Sequence, residues 1–385
     1  MPSVKVSIVM PSLNVAKYIR QCIESVLAQS LKEIEIICVD AGSTDGTVEI
    51  LTEYAANDPR ISIIHSDKKS YGYQMNLGMD AATGEYMGIV ETDDYAEPDM
   101  FEKLYGAAAA DNLDVVKSGF FYYYSKPEEK NIPSPITSHV FSQKIFCPTT
   151  DFASPLEQVE FFNIKPTIWS AIYRLDFLRG QQIRFNETPG ASFQDSSFNF
   201  KVWALAKRVR LLEDCFLHYR QDNEASSINS PGKVYCVADE YAEMERFLLA
   251  HPLLHGKLEG VKNRLKYDTY IWNYSRLSEP LQKEFIHYAS KEFAEDMAAG
   301  FCEKQYYPWY KWNTLLWIIN APDEYHKYKQ AISAGLPYNE APIGKEPFRE
   351  KLRRNIKKTL DYIHVFGWKV TLRKAFRKIR RKMGL

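Results

Sequence analysis

Apolar positions alternate between two periods over the first 120 residues. "KVSIVMPS" (5–12) has the β-branched pattern of a strand, and "AKYIRQCIESVLAQ" (16–29) sets Ile19, Ile23, Val26 and Leu27 on one helical face. The alternation repeats: a strand from residue 34 that breaks into a turn near 40–47, a helix over 47–58, a strand over 61–66, a loop and helix around 73–82, and a strand "EYMGIV" over 85–90. Strand and helix taken in turn predict a mostly parallel α/β sheet flanked by helices. A helix over 100–111 and a strand over 114–124 continue it, and the segments 169–178 and 192–206 are expected on the far edge of that sheet and over its cleft. From 234 to about 335 the period is helical, in pieces bounded by prolines. The expected organisation is therefore an α/β domain over 1–228, a helical region over 229–343 and a tail over 344–385.

Composition narrows the classes. With 385 residues, 45% hydrophobic and 25% charged, the chain is a globular protein of two or three folding units. Its six cysteines include no CxxC pair, which argues against a disulfide framework and a zinc finger and for reduced, cytosolic thiols. The opening "MPSVKVSIVMPSLN" has no basic region ahead of a long apolar stretch, so it reads as a first strand rather than a signal peptide. No run approaches the ~18 apolar residues of a membrane span.

The net charge of zero conceals an asymmetry. Residues 344–385 hold 15 Lys and Arg against 3 Asp and Glu, leaving 34 against 46 for the rest. Within this tail Phe348, Leu352, Ile356, Leu360 and Ile363, and again Leu372, Phe376, Ile379 and Met383, recur at steps of three or four. Both are basic amphipathic helix patterns, and Trp368 lies between them. A basic residue near an anionic leaflet contributes roughly 1 kcal/mol. An anionic membrane surface is therefore the expected partner of the tail, ahead of nucleic acid, with folding back onto the acidic remainder as a third option.

Candidate chemistry gathers where strands end. In an open α/β sheet ligands collect beyond the carboxyl ends of the strands, where Pro11 to Asn14, Asp40 to Asp45 and Glu91 to Asp94 all fall. In "DAGSTDGT" (40–47), glycine permits a tight turn close to a ligand, and an aspartate at a strand end can accept from a pyrimidine N–H. The acids of "ETDDY" (91–95) suit a hard divalent cation that shares its coordination with substrate phosphate oxygens; a solvated turn is the plainer alternative. No GxGxxG follows the first strand, which disfavours a dinucleotide oxidoreductase.

Taken in order, "VSIVMPSLN", "IEIICVDAGSTDGT", "NLGMDAATGEYMGIVETDDY" and "FQDSSF" resemble the successive motifs of the family 2 glycosyltransferases of GT-A fold, inverting enzymes that use nucleotide sugars. The resemblance covers about residues 4–225 and is nearest to bacterial enzymes of cell-surface polysaccharide synthesis. It implies that Pro11 and Asn14 sit against the nucleotide, that Asp40, in a turn with Gly42 and Ser43, binds the base, usually uracil, and that Asn76 and Thr92 line the donor. Asp93 and Asp94 would supply the metal and ribose contacts, with Mn²⁺ or Mg²⁺ as the ion. Glu91 stands where the family normally has Asp, and Met75 where many relatives have Arg, with Lys68 or Lys69 as substitute positive charge. Asp195 matches the catalytic base, which takes the proton of the acceptor hydroxyl. Arg220, with Ser226 and Ser227, would close over the diphosphate. His218 reads as a strand residue rather than a metal ligand, and Trp169 as an acceptor platform or a core residue. The acceptor would be a glycan or a lipid-linked sugar, met at the inner face of the cytoplasmic membrane. Glu91 and Met75 leave a second reading open, that of an inactive sugar-nucleotide-binding scaffold.

Overall fold

β1 (Val6–Ser12), β2 (Ile34–Asp40), β3 (Ile61–His65) and β4 (Tyr86–Ile89) pair in parallel in the order β3-β2-β1-β4. Between them run α1 (Ile19–Leu27), α2 (Thr47–Asn57) and α3 (Tyr71–Ala81). Every residue of β1 is buried, as befits a central strand covered on both faces. The computed structural model describes residues 3–137, 141–223 and 233–336, together with 355, 356, 360 and 368.

Helix α3 starts two residues before the periodicity predicts, because the Ser70 side chain caps it by accepting from the Tyr73 N–H. Gly72 then lets this first turn lie against another backbone: a Cβ there would stand 1.9 Å from the Asn186 carbonyl oxygen. From the same helix Gln74, buried, donates through Nε2 to the Ser12 and Val39 carbonyls at 2.9 and 2.7 Å. That one amide fixes the carboxyl ends of β1 and β2 side by side.

After β5 (Tyr95–Ala96) and α4 (Met100–Ala110) come β6 (Val115–Tyr124), β7 (Lys130–Ser134), β8 (Ile145–Phe146), α5 (Pro155–Phe162) and β9 (Ala171–Arg174). The segment around β9 was expected at the far edge; it instead sits in the middle, antiparallel to both β4 and β6. Ala171, Ile172 and Tyr173 are at most 1% exposed, and so short a strand led by three consecutive apolar residues is stable only where both faces are covered. Then follow α6 (Leu175–Gly180), α7 (Gln194–Leu205) and β10 (Val209–Arg220), which runs parallel to β6 and antiparallel to β5. The sheet is thus parallel over its first four strands and mixed beyond. All six cysteines are unbridged.

The helical region comprises α8 (Cys236–Ala250), α9 (Pro252–Arg276), α10 (Glu279–Ala298), α11 (Trp309–Asn320) and α12 (Pro322–Ser333). It is fastened to α7 and the loop ahead of it: Lys201 donates to the Arg184 carbonyl and to Glu243 of α8, and Asn186 donates to Glu240. Among the described residues no helix is long and apolar enough to cross a membrane. The basic tail patterns lie outside the described residues, apart from Asn355, Ile356, Leu360 and Trp368, and so does the 228/229 boundary.

Gly72→Ala should lower the free energy of unfolding by about 1–3 kcal/mol, the usual cost of forcing extra volume against fixed neighbours. Gly106→Ala, at an exposed position of α4 with nothing within 4 Å of the new methyl, should raise it by roughly 0.5–1 kcal/mol. Urea titration of the two variants checks the pair, and equal effects would contradict the Gly72 argument.

Candidate active site

The loops after β1 and β2 are stitched together by side chains. Asn14, left-handed at φ 55°, accepts from the Thr44 N–H at 2.9 Å, and its own N–H donates to Ser43 Oγ at 2.8 Å. Val15 and Ala16 donate to Thr47 and Asp45. Asp40 is completely buried: one oxygen accepts from the Gly42 and Ser43 N–H groups at 2.9 Å and the other from the Ser43 hydroxyl. A direct contact with a base needs an accessible oxygen, which Asp40 does not present in this structure. Its carboxylate shapes the turn, where Gly42, at φ 84°, leaves backbone open to solvent.

The third rim element is the acid loop after β4. Thr92 donates its hydroxyl to the Pro11 carbonyl at 2.7 Å, locking this loop to the end of β1. Both Pro11 and Thr92 are buried, so they form the floor of the rim. Asp94 is buried too and accepts from the Arg220 N–H at 2.8 Å, while its Oδ2 has no hydrogen-bond partner. Asp93 is more open and accepts from the Asn223 amide at 2.7 Å. Glu91 accepts from the Tyr71 hydroxyl at 2.6 Å.

Burial and mutual repulsion push Asp94 and Glu91 upward. Burial first, and then the Asp93 charge, raise Asp94 well above the usual carboxylate range despite the Arg220 N–H. Glu91 is pushed to about 8 by burial and by the charges of Asp93 and Asp195, against the Tyr71 hydrogen bond. An unpartnered buried carboxylate oxygen beside two further acids fits a hard divalent cation, which would favour the charged forms of Glu91 and Asp94.

Asp195 lies in the first turn of α7, after Phe193, which takes the left-handed conformation at φ 65° as the helix cap. Burial raises its carboxyl to about 6, against the N–H groups of the helix start and the charges of Lys117 and Lys165. The fields of Glu91, Tyr71 and Tyr219 all include Asp195, so it shares one electrostatic enclosure with the acid loop. Lys117 of β6 is 1% exposed and donates to the Thr167 carbonyl and hydroxyl and to Ser170, at 2.5, 2.7 and 3.1 Å. Burial lowers it to about 7 while Asp195 acts to raise it. Lys165 is exposed and stands over the Tyr122 and Tyr219 rings.

Other expected contacts lie elsewhere. Arg220 is buried between the Tyr18 and Tyr123 rings and donates to the Asp93 carbonyl and to Gln21, so it braces the acid loop from behind. Ser226 and Ser227 lie outside the described residues. Asn76 is buried, and its amide group is taken up by Phe185 and Glu187, which ties α3 to the chain leading toward Asp195. Met75 is core, Lys68 pairs with Glu187, and Lys69 is exposed. His218 is stacked between Tyr95 and Phe121 and bonded to Asn131 and Glu97. Trp169, 7% exposed, packs on Phe120 and Tyr219 as a core residue. Sequence reasoning missed Tyr71, Lys117 and Lys165. Lys117, a charge within an apolar strand, was the one visible signal.

A Rossmann-like parallel half sheet whose strand ends carry an acid loop, faced by a carboxylate on a helix start, defines a protein of the nucleotide-sugar transferase class. The chain belongs to glycosyl transferase family 2, whose model matches residues 7–202. It is 32% identical over 217 residues to the uncharacterized glycosyltransferase EpsJ of Bacillus subtilis, covering 56% of this chain and 61% of that one. It is 31% identical over 224 residues to glycosyltransferase GlyG of Streptococcus pneumoniae, covering 56% and 70%. The chain thus spans about three-fifths of the length of EpsJ. In fold it is similar to S. aureus TarS residues 1–349 solved with UDP-GlcNAc, with a TM-score of 0.64 at 16% identity, covering 87% of this chain and 93% of that one. The likeness extends through the helical region and shows a GT-A architecture.

The raised Asp195 carboxyl carries a sign. An acid such as Asp195, half-buried in the folded state, whose folded pKa exceeds its unfolded value of about 4 destabilises the folded state above that range. The penalty is complete above pH 6, where the folded state would also be ionised, and fades as pH falls from 6 towards 4. Asp195→Asn should therefore be more stable than the parent at pH 7.5 and equal to it below pH 4. Denaturant titrations across that range, in chelator, test this; a pH-independent difference would contradict the burial argument.

Proposed function

We propose that the chain is an inverting, metal-dependent glycosyltransferase that moves a hexosyl or N-acetylhexosaminyl group from a UDP-sugar to a hydroxyl of a glycan or lipid-linked acceptor in cell-surface polysaccharide synthesis. The observation that carries the reading is the acid loop of Glu91, Asp93 and Asp94 at the strand ends, with its buried and unpartnered Asp94 oxygen, within electrostatic reach of Asp195. Family membership and the UDP-GlcNAc named for TarS support the donor class.

The division of labour follows from burial. Asp93, the more open acid, would hold Mn²⁺ or Mg²⁺ with Asp94 behind it, and the ion would supply positive charge for the diphosphate. Asn14, Gly42 and Ser43 offer the exposed edge against which the nucleotide would lie, with Asp40 as the organiser of that edge. Asp195, ionised above about pH 6, takes the proton from the acceptor hydroxyl as its oxygen attacks the anomeric carbon on the face opposite the departing nucleotide. The N–H groups at the start of α7 hold that carboxylate in place. Beside it Phe193 meets Trp272 of α9 edge to face at 5.3 Å, and Trp272 is 40% exposed. This aromatic pair is the platform we assign to the acceptor sugar, in place of Trp169.

The scaffold reading loses one support, since Met75 is buried in the core and an Arg there would not meet ligand without rearrangement. We place the protein at the cytoplasmic face of the membrane, held peripherally by its basic tail; the +12 balance of residues 344–385 supports this.

Asp195→Asn should cut transfer by about 10²–10⁴-fold while leaving UDP-sugar binding by calorimetry unchanged. In the parent, kcat/KM should fall with acid along a limb near pH 6, because protonated Asp195 cannot accept a proton. Full transfer by the Asn variant would end the base assignment, and donor binding without turnover of any common nucleotide sugar in Mn²⁺ would favour the scaffold.

A further inference from the structure

The junction of α8 and α9 holds a polar cluster that the transferase reading does not use. Glu245 of α8 faces His255 and Glu259, which are four apart and so share one face of α9. His255 Nε2 is 3.9 Å from Glu245 Oε1 and 3.6 Å from Glu259 Oε2, and the three atoms lie within 4.8 Å of one another. These separations are too long for hydrogen bonds. Both His255 Nε2 and Glu259 Oε2 are buried atoms with no hydrogen-bond partner, and the Glu259 side chain is only 8% exposed.

Lys262 explains how the acids come to point this way. Its Nζ binds Glu245 Oε2 and, at 2.7 Å, Glu259 Oε1, the other oxygen of each carboxylate. Asn263 adds a further bond to Glu259 Oε1 at 2.8 Å. The outer oxygens are thereby held, and the remaining ones are turned toward the imidazole. This is the relation of second-layer groups to metal ligands: they orient the donors and leave one lone pair of each free. When both carboxylates are ionised and the imidazole is neutral, as metal binding requires, they and the ammonium sum to a single negative charge, so a divalent cation is not repelled.

We propose that Glu245, His255 and Glu259 bind a divalent transition-metal ion of the zinc class, pinning α8 to α9. One imidazole nitrogen and two carboxylate oxygens suit that ion, with bonds of about 2.0–2.2 Å. Three donors around one such ion stand roughly 3.3–3.6 Å apart, so the observed triangle needs to contract by less than about 1.5 Å on its longest side. Magnesium, which prefers all-oxygen octahedral surroundings, fits the site poorly. The ion is structural here: it would fasten the helix pair whose α8 grips Lys201 and Asn186, next to the base-bearing α7.

The test uses the full chain carrying Asp93→Asn, so that the acid loop competes less for metal, stripped with chelator and titrated with ZnCl₂ by calorimetry. We expect one equivalent of zinc and a rise of a few degrees in Tm, with no rise in MgCl₂. Adding His255→Gln, or separately Glu245→Gln, should weaken zinc binding at least tenfold and abolish the rise, while circular dichroism in chelator matches the parent. X-ray absorption on the zinc-loaded protein should show nitrogen and oxygen ligands with one imidazole and no sulfur. Unchanged zinc affinity in both variants, or a sulfur-dominated spectrum, overturns the proposal, and neither result bears on Asp195 or the transferase reading.

Discussion

Carboxylates crowded into a partly dry cleft repel one another, and the architecture around the acid loop is arranged to hold them there regardless. Asp94 cannot leave because the β10 backbone at Arg220 binds it, and Arg220 grips the Asp93 carbonyl in turn. Thr92 is anchored to β1, and Glu91 to the first turn of α3 through Tyr71. Each of these restraints comes from a different element, so the loop's geometry is a product of the whole sheet. The repulsion is not relieved by protein cations alone, which leaves the cluster biased toward a bound cation or toward protons.

Much of this was legible in the chain. The alternating periods located β1 to β4 and their helices, and strand ends in an open sheet told where the polar loops would meet. Position after an apolar strand singled out the acids, and the family resemblance, rather than their spacing, set a metal site ahead of a solvated turn. What stayed hidden was the use of each side chain. Asp40, Asn76 and Arg220 bear groups that serve ligands well, but the same groups serve buried backbone equally well, and the choice between the two depends on neighbours distant in sequence. Asn76 is satisfied by residues more than a hundred positions away. Periodicity also placed β9 at an edge, since a strand of four residues carries too little pattern to specify its partners.

The helical region contributes to the site through position as well as bulk. Its contacts to Lys201 and Asn186 bracket the stretch that carries Phe193 and Asp195, and Arg276 and Trp272 both rest against the Phe193 ring. Phe193 holds a left-handed backbone that costs a bulky residue of order 1–3 kcal/mol, and such a conformation persists only where packing enforces it. Asp195 is therefore presented by a junction between two regions, and the fold likeness to TarS covers both of them.

The central place of β9 orders events during synthesis. β4, already paired with β1, is joined to β6 only through β9, and β9 is made some eighty residues after β4. In a chain made from its N-terminus, the parallel set of β1 to β4 would keep an open edge at β4 until residues 171–174 are available. Loop closure over that distance is slow relative to local pairing. Two of the acid loop's restraints, from β1 and from Tyr71 of α3, lie in the first-made half of the domain, whereas the two that Arg220 supplies to Asp94 and to the Asp93 carbonyl come from the last strand, so the hold on the innermost acid is the last to be added.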